Sequence, residues 1–88
     1  MSRREVRISN RLGLHARAAA RFVQTANRFR SKVTLSRDGR TMDGKSILGI
    51  LLLAAAKGTQ LVVAAEGEDE QAAVEALAAL IGGGFGEA

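Results

Sequence analysis

His15 is the only imidazole in the chain, and Arg17 stands two residues after it. In the stretch Gly13-Leu14-His15-Ala16-Arg17 a nucleophile is joined to a planar fork of N–H donors suited to phosphate oxygens. Residues Ala16 to Phe29 carry Ala19, Phe22, Val23, Ala26 and Phe29 at helical spacing, so His15 falls at a helix start. A helix start presents unpaired backbone N–H groups and partial positive charge, which disfavours a cationic ring and stabilises an anion attached to it. The chemistry this permits is capture of a phosphoryl group, with the backbone of Ala16 and Arg17 and the Arg17 side chain holding the product. An ordinary surface histidine beside a helix fits the same spacing.

The elements that must position these residues follow from hydrophobic period. Glu5 to Ser9 alternates, with Val6 and Ile8 on one face, as a half-buried strand does. Arg11 to Leu14 reads as a loop leading into the first helix. Lys32 to Ser36 alternates again, Asp38-Gly39 is the pair a two-residue hairpin turn prefers, and Arg40 to Asp43 returns. Ser46 is a good N-cap for a second helix over Ile47 to Ala56, with a stop at Lys57-Gly58. Leu61 to Ala65 suits a central strand. Glu66, Glu68, Asp69 and Glu70 then favour the positive end of a third helix, with Ala72, Ala73, Ala76, Leu77, Leu80 and Ile81 as its stripe. Gly82-Gly83-Gly84 ends that helix, leaving a short tail from Phe85 to Ala88. The order βαββαβα predicts an α/β (α+β) fold: an open-faced sandwich with a four-stranded, mostly antiparallel sheet and three helices on one face.

The 88 residues are 47% apolar, enough for one domain over residues 1–88 with a small core and no covalent staples. With no cysteine and one histidine, disulfide, thiolate-zinc and redox chemistry are excluded, and neither metal nor cofactor is expected. The longest apolar run, Ile47 to Ala56, spans ten residues and contains Gly49, whereas a membrane helix needs about 20. The opening residues lack an apolar signal core, so a cytoplasmic protein without membrane insertion is expected.

Residues 1–40 hold eleven basic side chains against two acids, a balance of +9, while residues 41–88 hold two lysines against seven acids, a balance of −5. The basic half should face an acidic partner or ligand. Nucleic acid is not expected, because Phe22 and Phe29 fall on a helix stripe and no aromatic lies on a predicted strand where a base could stack. Gly39 to Ser46 matches the pattern of a nucleotide-binding phosphate loop, but the hairpin already uses Gly39 and no magnesium-binding strand follows.

Gly13-Leu14-His15-Ala16-Arg17 resembles the active-site motif of the HPr family, the histidine-containing phosphocarriers of the bacterial phosphoenolpyruvate-dependent phosphotransferase system. Asp43-Gly44-Lys45-Ser46-Ile47-Leu48-Gly49 is similar to that family's second signature, and the element order matches over the whole chain. The resemblance implies that His15 accepts a phosphoryl group on Nδ1 from phosphorylated Enzyme I and passes it to an enzyme IIA. Arg17 would help hold the phosphoryl oxygens. The protein would be a covalent carrier, not an enzyme, with no obligate oligomer.

The same resemblance maps a shallow apolar docking patch onto Leu14, Ala16, Ala20, Ile47, Leu48 and Leu51. It also marks Ser46, the position modified in many relatives by an HPr kinase/phosphorylase; a purely regulatory binding protein controlled at Ser46 is the alternative. Ala18 departs from the family's commonest motif, which has proline there, and restores an N–H near the site. Leu14 to Ala19, with the later Asp-Gly-Lys-Ser and Phe-Gly-Glu runs, is also similar to the nitrogen-related branch of the system, so sugar transport and nitrogen-related regulation both stay open.

Overall fold

The computed structural model describes residues 1–87, so the tail expected through Ala88 lies outside them at its last residue. Seven elements follow the expected order: β1 (Ser2–Arg7), α1 (Ala16–Ala26), β2 (Lys32–Arg37), β3 (Arg40–Asp43), α2 (Ile47–Leu52), β4 (Gln60–Glu66) and α3 (Glu70–Gly82). A 3-10 turn over Gly84–Gly86 comes last. The strands form one sheet in the order β1-β4-β2-β3, antiparallel at every pairing.

Alternation decides which face is covered. Leu61, Val63 and Ala65 of β4 and Val33 and Leu35 of β2 are buried, and they meet Phe22 and Val23 of α1 and Val74, Leu77 and Ile81 of α3 in one core. Val62 and Ala64, on the other face, are only half-buried. β4 is therefore central in position but has one open face. The hairpin turn forms as expected, with Asp38 (φ 50°) and Gly39 (φ 81°) both left-handed and Arg37 opposite Arg40. Residues 39 to 46 thus run through an antiparallel hairpin, which removes the phosphate-loop geometry.

Element ends differ from the periodic reading for local reasons. β1 begins at Ser2, because β4 is long enough to pair Ser2 with Ala65, while Ile8 leaves the strand for the core. α1 ends at Ala26, where the N–H groups of Arg28 and Phe29 turn to the carbonyls three residues back. α2 ends at Leu52, not Ala56, because Ala54 turns left-handed at φ 50°. Arg37 donates to the carbonyls of Leu53 and Ala54 (2.8 and 2.9 Å) and Arg40 to that of Leu52 (3.3 Å), so hairpin arginines satisfy the end of this helix. Part of the basic half is therefore structural. The buried stripe of α3 is Ala73, Val74, Leu77, Ala78 and Ile81, with Ala72 exposed; in a helix apolar nearly all round, packing on β1 and β4 chooses the face.

Asp69 makes no capping bond to its own helix. Its carboxylate accepts from the Ser31 hydroxyl and from the backbone N–H groups of Arg30 (2.8 Å) and Ser31 (2.9 Å), clamping the entry to β2. Those bonds hold Asp69 below the usual carboxylate pKa, the Ser31 hydroxyl acting most strongly. A depressed folded-state pKa contributes stability above the unfolded value and loses it as pH falls through the folded one. Thermal melts on the acid side should therefore show wild type losing stability faster than Asp69→Asn as pH drops, and Asp69→Asn melting a few degrees lower at neutral pH.

Candidate functional site

His15 is the N-cap of α1, a position usually held by Ser, Thr, Asp or Asn. Its backbone is extended (φ −80°, ψ 178°), its carbonyl accepts from Ala19 N–H at 2.8 Å, and its ring Nδ1 accepts from Arg17 N–H at 3.2 Å. An atom that accepts an N–H carries a lone pair, so the ring proton belongs on Nε2. Nε2 faces Glu87 Oε2 at 2.6 Å. The two contacts select one tautomer between them and aim the Nδ1 lone pair at the helix start.

Three segments hold this ring. Gly13 is left-handed at φ 67°, and a Cβ there would stand 2.5 Å from the carbonyl oxygen of Ala55. That carbonyl accepts from Leu14 N–H at 2.8 Å. The early end of α2 thus supplies the wall on which the histidine loop rests. Asn10, buried, donates through Nδ2 to Gly13 O (2.7 Å) and to Glu87 Oε1 (3.0 Å), tying that loop to the tail.

The tail itself is anchored by Phe85, whose ring is buried in the core. Gly84, Phe85 and Gly86 are left-handed in succession, and Arg21 Nη1 donates to the Phe85 carbonyl. This reversal carries Glu87 back over His15. Burial opposes charge on Glu87, but hydrogen bonds from Asn10 and His15, with Arg21 nearby, outweigh it and hold its carboxyl below the usual range.

The remaining expected site residues fall in two groups. Arg17 is exposed, and its guanidinium has no hydrogen bond or ion pair among the described residues. Ser46 caps α2, its Oγ accepting from Gly49 N–H at 3.1 Å. Ile47 and Leu48 are 44% and 68% exposed, Ala16 is exposed, and Ala20 and Leu51 are half-buried. Leu14 is a core residue at 5% exposure, so it supports the patch from beneath and does not form its surface. Leu52, 53% exposed, adds to this apolar surface. Asn10 and Glu87 lie outside the expected set: an isolated Asn in a loop and a Glu after a glycine-rich turn carry no periodic signal, although Phe85 between two glycines marks a tail that could dock. Among the described residues no three His, Cys, Asp or Glu side chains gather as a metal site would, and no helix is long and apolar enough to cross a membrane.

The sequence pattern described as "PTS HPr component phosphorylation site" matches residues 2–82. The chain belongs to the HPr family. HPr proteins are the phosphocarriers of the phosphotransferase system, and the similarity extends over essentially all of this chain. A phosphocarrier protein HPr of Cupriavidus necator is 49% identical over 87 residues, covering 99% of this chain and 98% of that protein. The HPr-like protein Crh of Bacillus subtilis is 48% identical over 81 residues, covering 92% and 95%. A crystal structure of HPr from Thermoanaerobacter tengcongensis superposes with a TM-score of 0.96 at 43% identity, covering 100% of this chain and 99% of that one. HPr phosphocarrier function and the open-faced fold thus coincide with the histidine geometry.

Proposed function

We propose that His15 Nδ1 takes a phosphoryl group from phosphorylated Enzyme I and yields it to an enzyme IIA in the cytoplasm, turning over no free metabolite. The observation that carries this reading is the ring's tautomer: Nδ1 offers its lone pair at the helix start while Nε2 is held by Glu87. The Nδ1–P bond forms as the donor's bond to phosphorus breaks, and the electron pair of that bond returns to the donor. No proton need move at Nδ1. Phosphorylation makes the ring cationic while Nε2 keeps its proton, and Glu87 stands where it offsets that charge.

The new phosphoryl oxygens displace the ring as the acceptor of Arg17 N–H, within reach of the other amides of the first turn. Arg17 adds its guanidinium. Because the attacking atom is already oriented, the remaining contribution is position and charge, completed by the partner in each complex. The acceptor decides whether the phosphoryl group serves sugar transport or nitrogen-related regulation.

The docking surface is the apolar patch of Ala16, Ala20, Ile47, Leu48 and Leu51, with Leu52 added, where α1 lies beside α2. Leu48→Glu should weaken Enzyme I binding by tenfold or more, about 1.4 kcal/mol, while thermal unfolding stays within a few degrees of wild type. A loss of fold would place Leu48 in the core. A phosphoryl group on Ser46, added by an HPr kinase/phosphorylase, would stand beside Ile47 and Leu48 and repel acidic partners there.

The carrier reading is tested by intact mass spectrometry after mixing the protein with Enzyme I, magnesium and phosphoenolpyruvate. One acid-labile phosphoryl group, assigned to Nδ1 by 31P NMR, is expected. No modification by an Enzyme I shown to phosphorylate another HPr overturns the reading.

A further inference from the structure

Beside the phosphoryl-acceptor site, sharing Arg17 and Glu87 with it, an open cleft of about 730 Å³ is lined also by Arg11, Leu12, Arg21 and Lys57. His15 does not line it. Four cations against one carboxylate leave it with a net charge of about +3. They converge from three segments: the loop before α1, the first turns of α1 and the turn after α2. Arg17 and Arg21 stand one helical turn apart on one face of α1. Arg21 is held by the Phe85 carbonyl. Arg11, Arg17 and Lys57 have no hydrogen bond from the side chain and no ion pair among the described residues, unlike Arg30, Arg37 and Arg40.

Like charges gathered round a concavity repel one another, and an anion seated among them relieves that repulsion. The volume is that of a small-molecule site. Two of the four cations, Arg17 and Arg21, lie on α1 and two, Arg11 and Lys57, on separate turns, so two phosphate groups can engage more of the lining than one. Leu12, 67% exposed at the rim, offers an apolar surface to whatever the phosphates are attached to. A protein partner is better served by the apolar surface of Ile47 and Leu48, neither of which lines the cleft.

We infer that this cleft binds a small anion carrying two linked phosphate groups. A second consequence rests on the reading of His15 as the acceptor: Arg17 serves both sites, so a diphosphate in the cleft and a phosphoryl group on His15 compete for one guanidinium. Linkage makes the competition reciprocal, each weakening the other.

The test titrates pyrophosphate into the 15N-labelled full chain at low and at physiological salt, with ADP, orthophosphate and a hexaglutamate peptide as comparison probes. Saturable shifts confined to residues around Ser9 to Leu12, Arg17, Lys57 and Gly86 are expected, with pyrophosphate at least about tenfold tighter than orthophosphate. ADP equal to pyrophosphate assigns recognition to the diphosphate alone, and ADP tighter assigns a share to Leu12. The variant Arg11→Ala with Lys57→Ala should lose about tenfold or more in affinity while still accepting phosphate on His15. Arg3→Ala with Arg28→Ala, which removes the same charge elsewhere, should bind like wild type. Shifts spread over all basic surfaces, equal losses in both variants, or hexaglutamate binding as tightly as pyrophosphate would overturn the site. If the site stands but phosphorylated protein binds pyrophosphate as well as unphosphorylated protein, the competition for Arg17 is overturned on its own.

Discussion

A His15→Ala protein is expected to fold and to accept no phosphoryl group. Loss of a capping side chain costs about 1 kcal/mol, against about 5–15 kcal/mol for a domain of this kind. Function has no such reserve. The chain has no cysteine and no second imidazole, and its lysine, arginine and terminal amines are protonated at neutral pH, which leaves them no lone pair to attack phosphorus. Neighbouring substitutions should grade below this. Arg17→Ala leaves the tautomer intact, because the contact to Nδ1 comes from the backbone, and should slow transfer by about 100-fold, the usual order for loss of one charge-stabilising donor. Glu87→Gln can turn either its carbonyl or its amide toward Nε2, which leaves the tautomer to the Arg17 N–H alone and raises the share of the Nδ1–H form; 15N NMR of the ring reads this directly, and rapid-quench mass spectrometry reads the slower acceptance.

The parts of this site that lie in the sequence are those that repeat with a period or sit at a fixed offset from a turn. Phe22 and Val23 one turn after Ala18 and Ala19 specify α1 and put His15 at its start, where the structure shows it as the cap. Asp38-Gly39 specifies the hairpin because two successive left-handed residues suit that turn. What the sequence hides is set by long-range contacts. Ile47 to Ala56 reads as ten helical residues, yet the arginines that close α2 at Leu52 come from β2 and the start of β3, and nothing within the run announces them. The Ala55 carbonyl that supports Leu14 lies in the turn that this early stop produces, so its direction is set by the same distant contacts.

Glu87 hides for the same reason at greater range. It is 72 residues from His15, and Asn10, which it also meets, is 77 residues away. Gly82-Gly83-Gly84 reads correctly as the end of a helix, but glycine freedom alone gives a tail no destination. Phe85 supplies it: a left-handed backbone is strained for any side chain with a Cβ, and burial of the ring offsets that strain.

Phe85→Ala is accordingly the substitution expected to cost most in stability, about 3–5 kcal/mol from the lost burial and the cavity left behind. In a domain this small that is a large share of the total. The effect should not stop at stability. Without the ring the reversal over Gly84–Gly86 keeps only polar contacts, its two backbone hydrogen bonds, the Arg21 bond to the residue 85 carbonyl and the Asn10 bond to Glu87, so Glu87 should leave His15 for part of the time and Nε2 lose its partner. Phe85→Leu keeps an apolar anchor and separates the two effects: it should lose less stability and retain the single tautomer. Urea unfolding measures the first, and ring 15N shifts under native conditions measure the second. An unchanged His15 signature in folded Phe85→Ala would mean that the Arg17 N–H at the start of α1 orients the ring unaided. The expected change would make the tail part of the nucleophile, since the carboxylate it delivers to one edge of the ring and the Arg17 N–H at the other together choose the atom that attacks.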